Sequence, residues 1–137
     1  MTPEALAAVH ARVFTHPRPW TAPEFADLLA SPHVFVIGTP RAFALGRVIV
    51  DEAELLTIAT DPAHQRTGLA RTTLAAFHAT AATRGATTAF LEVAADNVPA
   101  RALYSAAGYG QTGLRRGYYR SQGGETVDAL LLSRTLP

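Results

Sequence analysis

The stretch DPAHQRTGLARTTL, Asp61–Leu74, sets a lone glycine, Gly68, between a polar run and a segment of helical spacing. A turn that feeds the chain into a helix leaves the first backbone N–H groups without intrahelical partners. With the helix dipole they form a ready anion site. Two familiar phosphate cradles can be tested on the residues themselves. A P-loop needs lysine after its last glycine, and Ala70-Arg71 does not supply it; a dinucleotide fingerprint needs three glycines, and only Gly68 is present. What remains is an anion cradle of another kind over Gln65, Arg66, Thr67, Gly68, Leu69, Ala70 and Arg71, with an ordinary tight turn as the alternative.

Downstream of Gly68, the spacing of Ala70, Leu74, Phe77 and Ala81 predicts a long helix that Gly85 stops. Upstream, EAELLTIAT reads as a strand ended by Asp61-Pro62. Before it, HVFVIG and AFALGRVIV read as a hairpin turning at Thr39-Pro40-Arg41. The chain opens on a helix capped by Thr2 with Pro3 in its first turn, running towards Phe14. A second helix, to about Ala30, starts at the capping box Thr21-Ala22-Pro23-Glu24, with Trp20 and Phe25 spaced as a hydrophobic staple. After the long helix, TAFLEVAA is expected inside the sheet with apolar residues on both faces, interrupted by Glu92. Asn97-Val98-Pro99 opens a further helix that Gly108 ends, and YGQTGLRRGYY and TVDALLLS close the chain as a strand pair. The fold class is α/β (α+β): one mixed sheet flanked by helices.

Composition bounds the function. In 137 residues, 48% are hydrophobic and 17% charged with no charge block, which predicts one globular domain over 1–137 rather than a disordered or polyelectrolyte chain. A net charge of +1 gives no long-range pull on nucleic acid, and no direct nucleic-acid partner is expected. The absence of cysteine excludes disulfides, thiolate metal sites and a cysteine nucleophile, and five scattered histidines give no ligand spacing, so no metal is expected. The N-terminus lacks a signal-peptide layout and no apolar run reaches membrane-spanning length; a cytoplasmic protein is the simplest reading.

Gln65-Arg66-Thr67-Gly68-Leu69-Ala70 resembles the Q/R-x-x-G-x-G/A signature of the GCN5-related N-acetyltransferases (GNAT), and FLEVAADNVPARALYSAAGY resembles the second half of the same family's core. With ELLTIATDP before and RRGYY after, the chain from about Trp20 onward is similar to the RimI-type protein N-terminal alanine acetyltransferases. The resemblance implies a mostly antiparallel GNAT sheet, here without the family's usual first strand. It also departs from the pattern at Ala70, where glycine is commoner, and at Thr60, where valine is usual. It implies acetyl-CoA as co-substrate, its pyrophosphate on the Gln65–Arg71 turn and its pantetheine arm along Ile58, Ala59 and Thr60, where that strand parts from FLEVAA. The acceptor it implies is a protein N-terminus, the terminal alanine of a small-subunit ribosomal protein. A small amine or lysine acceptor, or a non-catalytic acyl-CoA-binding domain, stays open beside it.

The chemistry assigns roles to residue types. An amine attacks a thioester only when neutral, and an α-amino group with a pKa of about 7.7 to 8.0 keeps its proton much of the time near neutrality. Glu92, a carboxylate in an apolar strand, is the candidate base, with a buried ion pair to an arginine as the competing reading. Tyr104 is the candidate proton donor to the departing thiolate, with a plain core aromatic as its alternative. Asn97 and Tyr104, two turns apart, are expected to share a face lining the cofactor groove, while Leu103 and Ala107 point elsewhere. Trp20, Tyr118 and Tyr119 are candidates for walls of a peptide groove. With no cysteine to carry an acyl group, attack is expected to be direct.

Overall fold

The computed structural model describes residues 1–15, 17–65, 67–120 and 123–137. Four helices, α1 (Pro3–Val13), α2 (Ala22–Leu29), α3 (Leu69–Thr83) and α4 (Val98–Ala106), accompany six strands: β1 (Val34–Thr39), β2 (Ala42–Ile49), β3 (Glu52–Thr60), β4 (Thr88–Ala94), β5 (Gly110–Arg120) and β6 (Thr126–Thr135). They form one sheet in the order β1-β2-β3-β4-β6-β5. Every pairing is antiparallel except β3 with β4, and α3 is the crossover that a parallel pair requires. The first element is α1, and the mixed, mostly antiparallel sheet matches the expected class.

Local sequence sets the helix starts. The Thr2 hydroxyl accepts from the Ala5 N–H at 3.1 Å. At α2 the Thr21 hydroxyl accepts from the Glu24 N–H, while the Glu24 carboxylate accepts from the Thr21 N–H at 3.0 Å. The predicted staple is present, with the Trp20 and Phe25 ring centroids 5.4 Å apart.

Two apolar clusters cover the two sheet faces. Leu74, Phe77 and Ala81 of α3 and Tyr104 of α4 pack with Phe35, Leu55, Leu91 and Leu130 on one face; Leu6, Val9 and Phe25 of α1 and α2 pack with Phe43, Leu45 and Ala59 on the other. The cluster under α1 and α2 includes strand residues of β1, β2 and β3 and none of β4 among the described residues. Along β4, Ala89, Leu91 and Val93 are therefore buried, while Thr88, Phe90 and Glu92 lie half-buried on a face that no helix covers. TAFLEVAA thus lies in the interior of the sheet as expected, between β3 and β6, but only one of its faces is fully buried.

Two features fix the packing. Gly46 lies where a Cβ would stand 2.5 Å from the Phe77 ring and 2.6 Å from the Phe35 ring, rings that themselves stack at 5.9 Å. His10 is buried, accepts at Nδ1 from the Trp20 N–H at 2.9 Å, and therefore carries its proton on Nε2, which lies 2.9 Å from the Thr57 hydroxyl. Burial pushes its pKa down to about 4 against the opposing pull of Glu24, and burial, helped by Arg134, pushes His78 to about 4 as well.

Gly46→Ala is expected to destabilise the fold by about 1–3 kcal/mol, because neither buried ring can withdraw without overpacking its neighbours. Chemical denaturation checks this; a variant as stable as the parent contradicts the packing. The histidines give a second expectation. Their folded pKa values lie below the unfolded value of about 6.5, so the unfolded chain binds more protons as pH falls through that window. Stability is therefore full above about pH 6.5 and declines towards pH 4. Thermal unfolding across that range reads it, and a flat midpoint contradicts it.

Candidate active site

The site begins where β3 and β4 separate. Their pairing lasts three rungs, Glu52 with Thr88, Ala53 with Ala89 and Glu54 with Phe90. Beyond that, Leu55–Thr60 and Leu91–Ala94 continue as strands without pairing to each other, which is the parting expected beside Ile58, Ala59 and Thr60. Its cause is visible in β3, where the register against β2 shifts so that Leu56 is an extra residue between Thr57, opposite Leu45, and Leu55, opposite Gly46. A bulge bends and twists its strand, and here it turns β3 away from β4.

The polar turn follows the end of β3. Asp61 fixes it: its carboxylate accepts from the Ala63 N–H at 3.1 Å and from Arg12 of α1 at 2.6 Å, contacts that hold its pKa below the usual carboxylate value. The Gln65 side-chain amide donates to the Thr60 carbonyl at 3.2 Å, which occupies that carbonyl. The Asp61 N–H bonds the Arg41 carbonyl of the β2 side, so the alternating backbone of β3 turns Ala59 towards β2 and Ile58 towards the cleft. The Thr67 hydroxyl donates to the His64 carbonyl at 2.7 Å. Gly68 then takes a left-handed conformation, φ +82°, as N-cap of α3. No side chain caps this helix start, no acid lies in its first turn, and nothing stands within 4 Å of where a Cβ on Gly68 would be. Leu69, Ala70 and Arg71 thus start a helix with uncapped N–H groups beside open space, and Arg71 is exposed and cationic. These features fit a bound anion. Arg66 lies outside the described residues.

On the uncovered sheet face, Glu92 of β4 lies 3.2 Å from Arg115 Nε of β5, with the Glu92 side chain 27% exposed. The competing reading of an arginine pair is therefore realised, although at a half-exposed site rather than a buried one. The two reach each other across β6, where Ala129, opposite Arg115, offers no bulk. Together with Thr112, Leu131 and Ser133 they line a cavity of about 450 Å³. Tyr119 is half-buried, and burial, reinforced by the charge of Glu92, raises its pKa to about 12. Tyr118 is 52% exposed, packs edge-on to Tyr119 at 5.1 Å and lies under the Arg115 guanidinium.

These two structural units, an uncapped helix start beside parted strands and a carboxylate facing tyrosines, occur in a chain with known relatives. The Acetyltransferase (GNAT) family profile matches residues 5–109. The chain belongs to this acetyltransferase family. It is similar to the [ribosomal protein bS18]-alanine N-acetyltransferase of Escherichia coli K12, 36% identical over 136 residues, covering 96% of this chain and 91% of that protein. N-alpha-acetyltransferase RimI of Mycobacterium tuberculosis is 38% identical over 128 residues, covering 87% of this chain and 79% of that one. The crystal structure of the Escherichia coli ribosomal-protein-S18-alanine N-acetyltransferase superposes with a TM-score of 0.87 at 32% identity, covering 98% of this chain and 87% of that chain. The protein is accordingly an N-acetyltransferase of GNAT fold.

In this GNAT chain the other site expectations fare unequally. Asn97 is exposed and accepts from the Ala100 N–H at 3.3 Å, an N-cap as expected. Tyr104, two turns further on, is only 5% exposed, and Ala100, Leu103, Tyr104 and Ala107 together form the stripe by which α4 meets the core. The expectation that Leu103 and Ala107 point away from Tyr104 is overturned, since residues at i, i+3, i+4 and i+7 lie on one helix face. Burial, with Tyr109 and Tyr119 nearby, raises the Tyr104 phenol well above its ordinary value. Trp20 belongs to the cluster under α1 and α2, stacked on His10 at 5.0 Å, and no contact joins it to Tyr118 or Tyr119 among the described residues. Arg115 is the site residue that spacing did not single out; RRGYY marked its segment but not its partner. Among the described residues no three metal-ligating side chains gather, and no helix is long and apolar enough to cross a membrane.

Gly68→Val is expected to leave the protein folded, since the position faces open space, while weakening CoA binding at least about tenfold by straining the left-handed turn and filling the cradle. Calorimetric titration decides it. Unchanged affinity in a folded variant excludes the turn as the anion site.

Proposed function

We propose that this acetyltransferase moves the acetyl group of acetyl-CoA to the N-terminal α-amino group of an alanine-starting ribosomal protein, as the names of its Escherichia coli relatives describe for bS18. The observation that carries the reading is the parting of β3 from β4, which opens unpaired strand edges between the uncapped start of α3 and the Glu92 face. Identity of 36–38% to the two curated relatives supports the choice of acceptor. An acceptor of that kind puts the site of action in the cytoplasm.

The residues divide the work. The N–H groups of Leu69, Ala70 and Arg71, with the Arg71 charge, would hold the pyrophosphate, and the β3 edge at Ile58 would pair with the amides of the pantetheine arm as an added strand does. When bound, acetyl-CoA supplies an acyl group activated as a thioester. Glu92 would accept the proton of the incoming ammonium, directly or through one water, and so raise the fraction of neutral nucleophile. Arg115 fixes the orientation of that carboxylate; a half-exposed pair adds only about 0.2–1 kcal/mol of stability, so its value is positional. Tyr119 keeps its proton at every working pH and would offer a neutral hydrogen bond to the peptide main chain. Tyr104 keeps its proton more firmly still. With no cysteine in the chain, the amine would attack the thioester directly.

The test is mass spectrometry of an alanine-starting ribosomal peptide incubated with the protein and acetyl-CoA, beside an N-terminally blocked peptide containing lysine and a small polyamine. Acetylation at the free α-amine supports the reading; preference for lysine or the polyamine overturns the acceptor. Glu92→Gln keeps the shape but cannot take the proton, so turnover is expected to fall by roughly 10²-fold to 10⁴-fold, with acetyl-CoA binding intact and partial recovery at higher pH. Retained turnover places the base elsewhere.

A further inference from the structure

Arg115 and Tyr119 are four residues apart, which in a regular strand separates them by about 14 Å. Their partners on β6, Ala129 and Val127, are only two residues apart. Three residues of β5, Arg116, Gly117 and Tyr118, thus stand opposite Asp128 alone, a bulge that brings Arg115 and Tyr119 onto neighbouring rungs of one face, about 7 Å apart. Gly117 takes φ +58° inside it, and its N–H, which has lost its place in the ladder, donates to Asp128 Oδ1 at 2.8 Å. The Asp128 backbone carbonyl meanwhile accepts from the Ala95 N–H at 2.8 Å, just beyond the end of β4. One residue therefore ties the bulge of β5 to the strand that carries Glu92.

We infer that Asp128 is a positioning residue for the acceptor side of the site: by taking the Gly117 N–H it holds the β5 bulge that sets Arg115 and Tyr119 against Glu92. This rests on the reading that an acceptor peptide binds along Glu92 and Tyr119. Asp128 touches neither reacting group. A side-chain acceptor is required at this position and a charge is not, so asparagine is expected to replace aspartate and alanine is not.

The experiment compares Asp128→Ala and Asp128→Asn by steady-state kinetics with an alanine-starting peptide, and by NMR of the ligand-free proteins. Asp128→Ala is expected to raise the peptide KM about tenfold, the loss of one ordinary hydrogen bond, with the KM for acetyl-CoA unchanged. Asp128→Asn stays within about twofold of the parent, less than half of such a bond. The Gly117 amide and Tyr119 ring resonances are expected to move in the alanine variant and return in the asparagine variant. Should Asp128→Ala not fold, Gly117→Ala strains the same bulge from the other strand and is expected to give the same split. Equal rises in both KM values, or unmoved Tyr119 resonances in a folded alanine variant, overturn the inference. A parent that leaves the peptide unmodified overturns the acceptor assignment instead, and the NMR comparison then decides Asp128 alone.

Discussion

The geometry of this acetyltransferase depends on a parallel pairing that stops after three rungs. Backbone N–H and C=O groups left unpaired away from water are costly, so a sheet normally zips to its ends. Here the extra residue at Leu56 turns β3 before it can follow β4, and the two strands keep their other edges paired with β2 and β6. The inner edges of the cleft are then donors and acceptors in search of a partner. Gly46 belongs to the same device: it sits opposite Leu55 at the register shift and leaves room for the Phe35 and Phe77 rings, through which α3 is seated. The packing that holds α3, and the bulge that opens the cleft beside it, are one arrangement.

The start of α3 carries a related imbalance. A helix N-terminus favours negative charge, yet this one has no acid in its first turn, no side-chain cap and a cation at Arg71. Charge against dipole is unfavourable in the isolated protein and becomes favourable when an anion lies between them. The contrast with α1 and α2 is direct, since both are capped by threonine and carry a glutamate in the first turn. Asp61, the carboxylate that opens the turn, is engaged by Arg12 and by the Ala63 N–H, so its charge is spent on anchoring the turn.

What the sequence made legible was what neighbours within about one helical turn determine. The caps at Thr2, Thr21 and Asn97, the Trp20–Phe25 staple, the turn after Thr39 and the turn at Gly68 all follow from residues a few positions apart. Family resemblance carried the parting of β3 from β4, which composition and periodicity could not. The pairing of Glu92 with Arg115 depends on two strands meeting across a third, and on Ala129 being small at the crossing. The half-open face of β4 depends on the cluster under α1 and α2 including residues of β1, β2 and β3 and none of β4 among the described residues. The orientation of Leu103 and Ala107 was out of reach for a related reason: α4 rolls its Ala100-Leu103-Tyr104-Ala107 stripe into the core that holds Leu91, Leu130 and Tyr109, elements distant in sequence.

The burial of Tyr104 bears on how the leaving sulfur is handled. A thiol has an ordinary pKa of about 8.5, below that of an exposed phenol at about 10, and burial lifts Tyr104 further from it. Full transfer of the phenolic proton to a thiolate is therefore uphill, whereas a hydrogen bond from the intact phenol is not. On the proposed reading, the role open to Tyr104 would be stabilisation of developing charge by a donor that stays protonated, the kind of contribution a fixed dipole makes. On the proposed chemistry the proton that ends on the sulfur would come from the ammonium formed by attack, by way of Glu92 or solvent. Acid and base work in that proposed chemistry would thus fall to the partly exposed Glu92 carboxylate paired with Arg115, while Tyr104 and Tyr119, both held protonated by burial, would act only as hydrogen-bond donors.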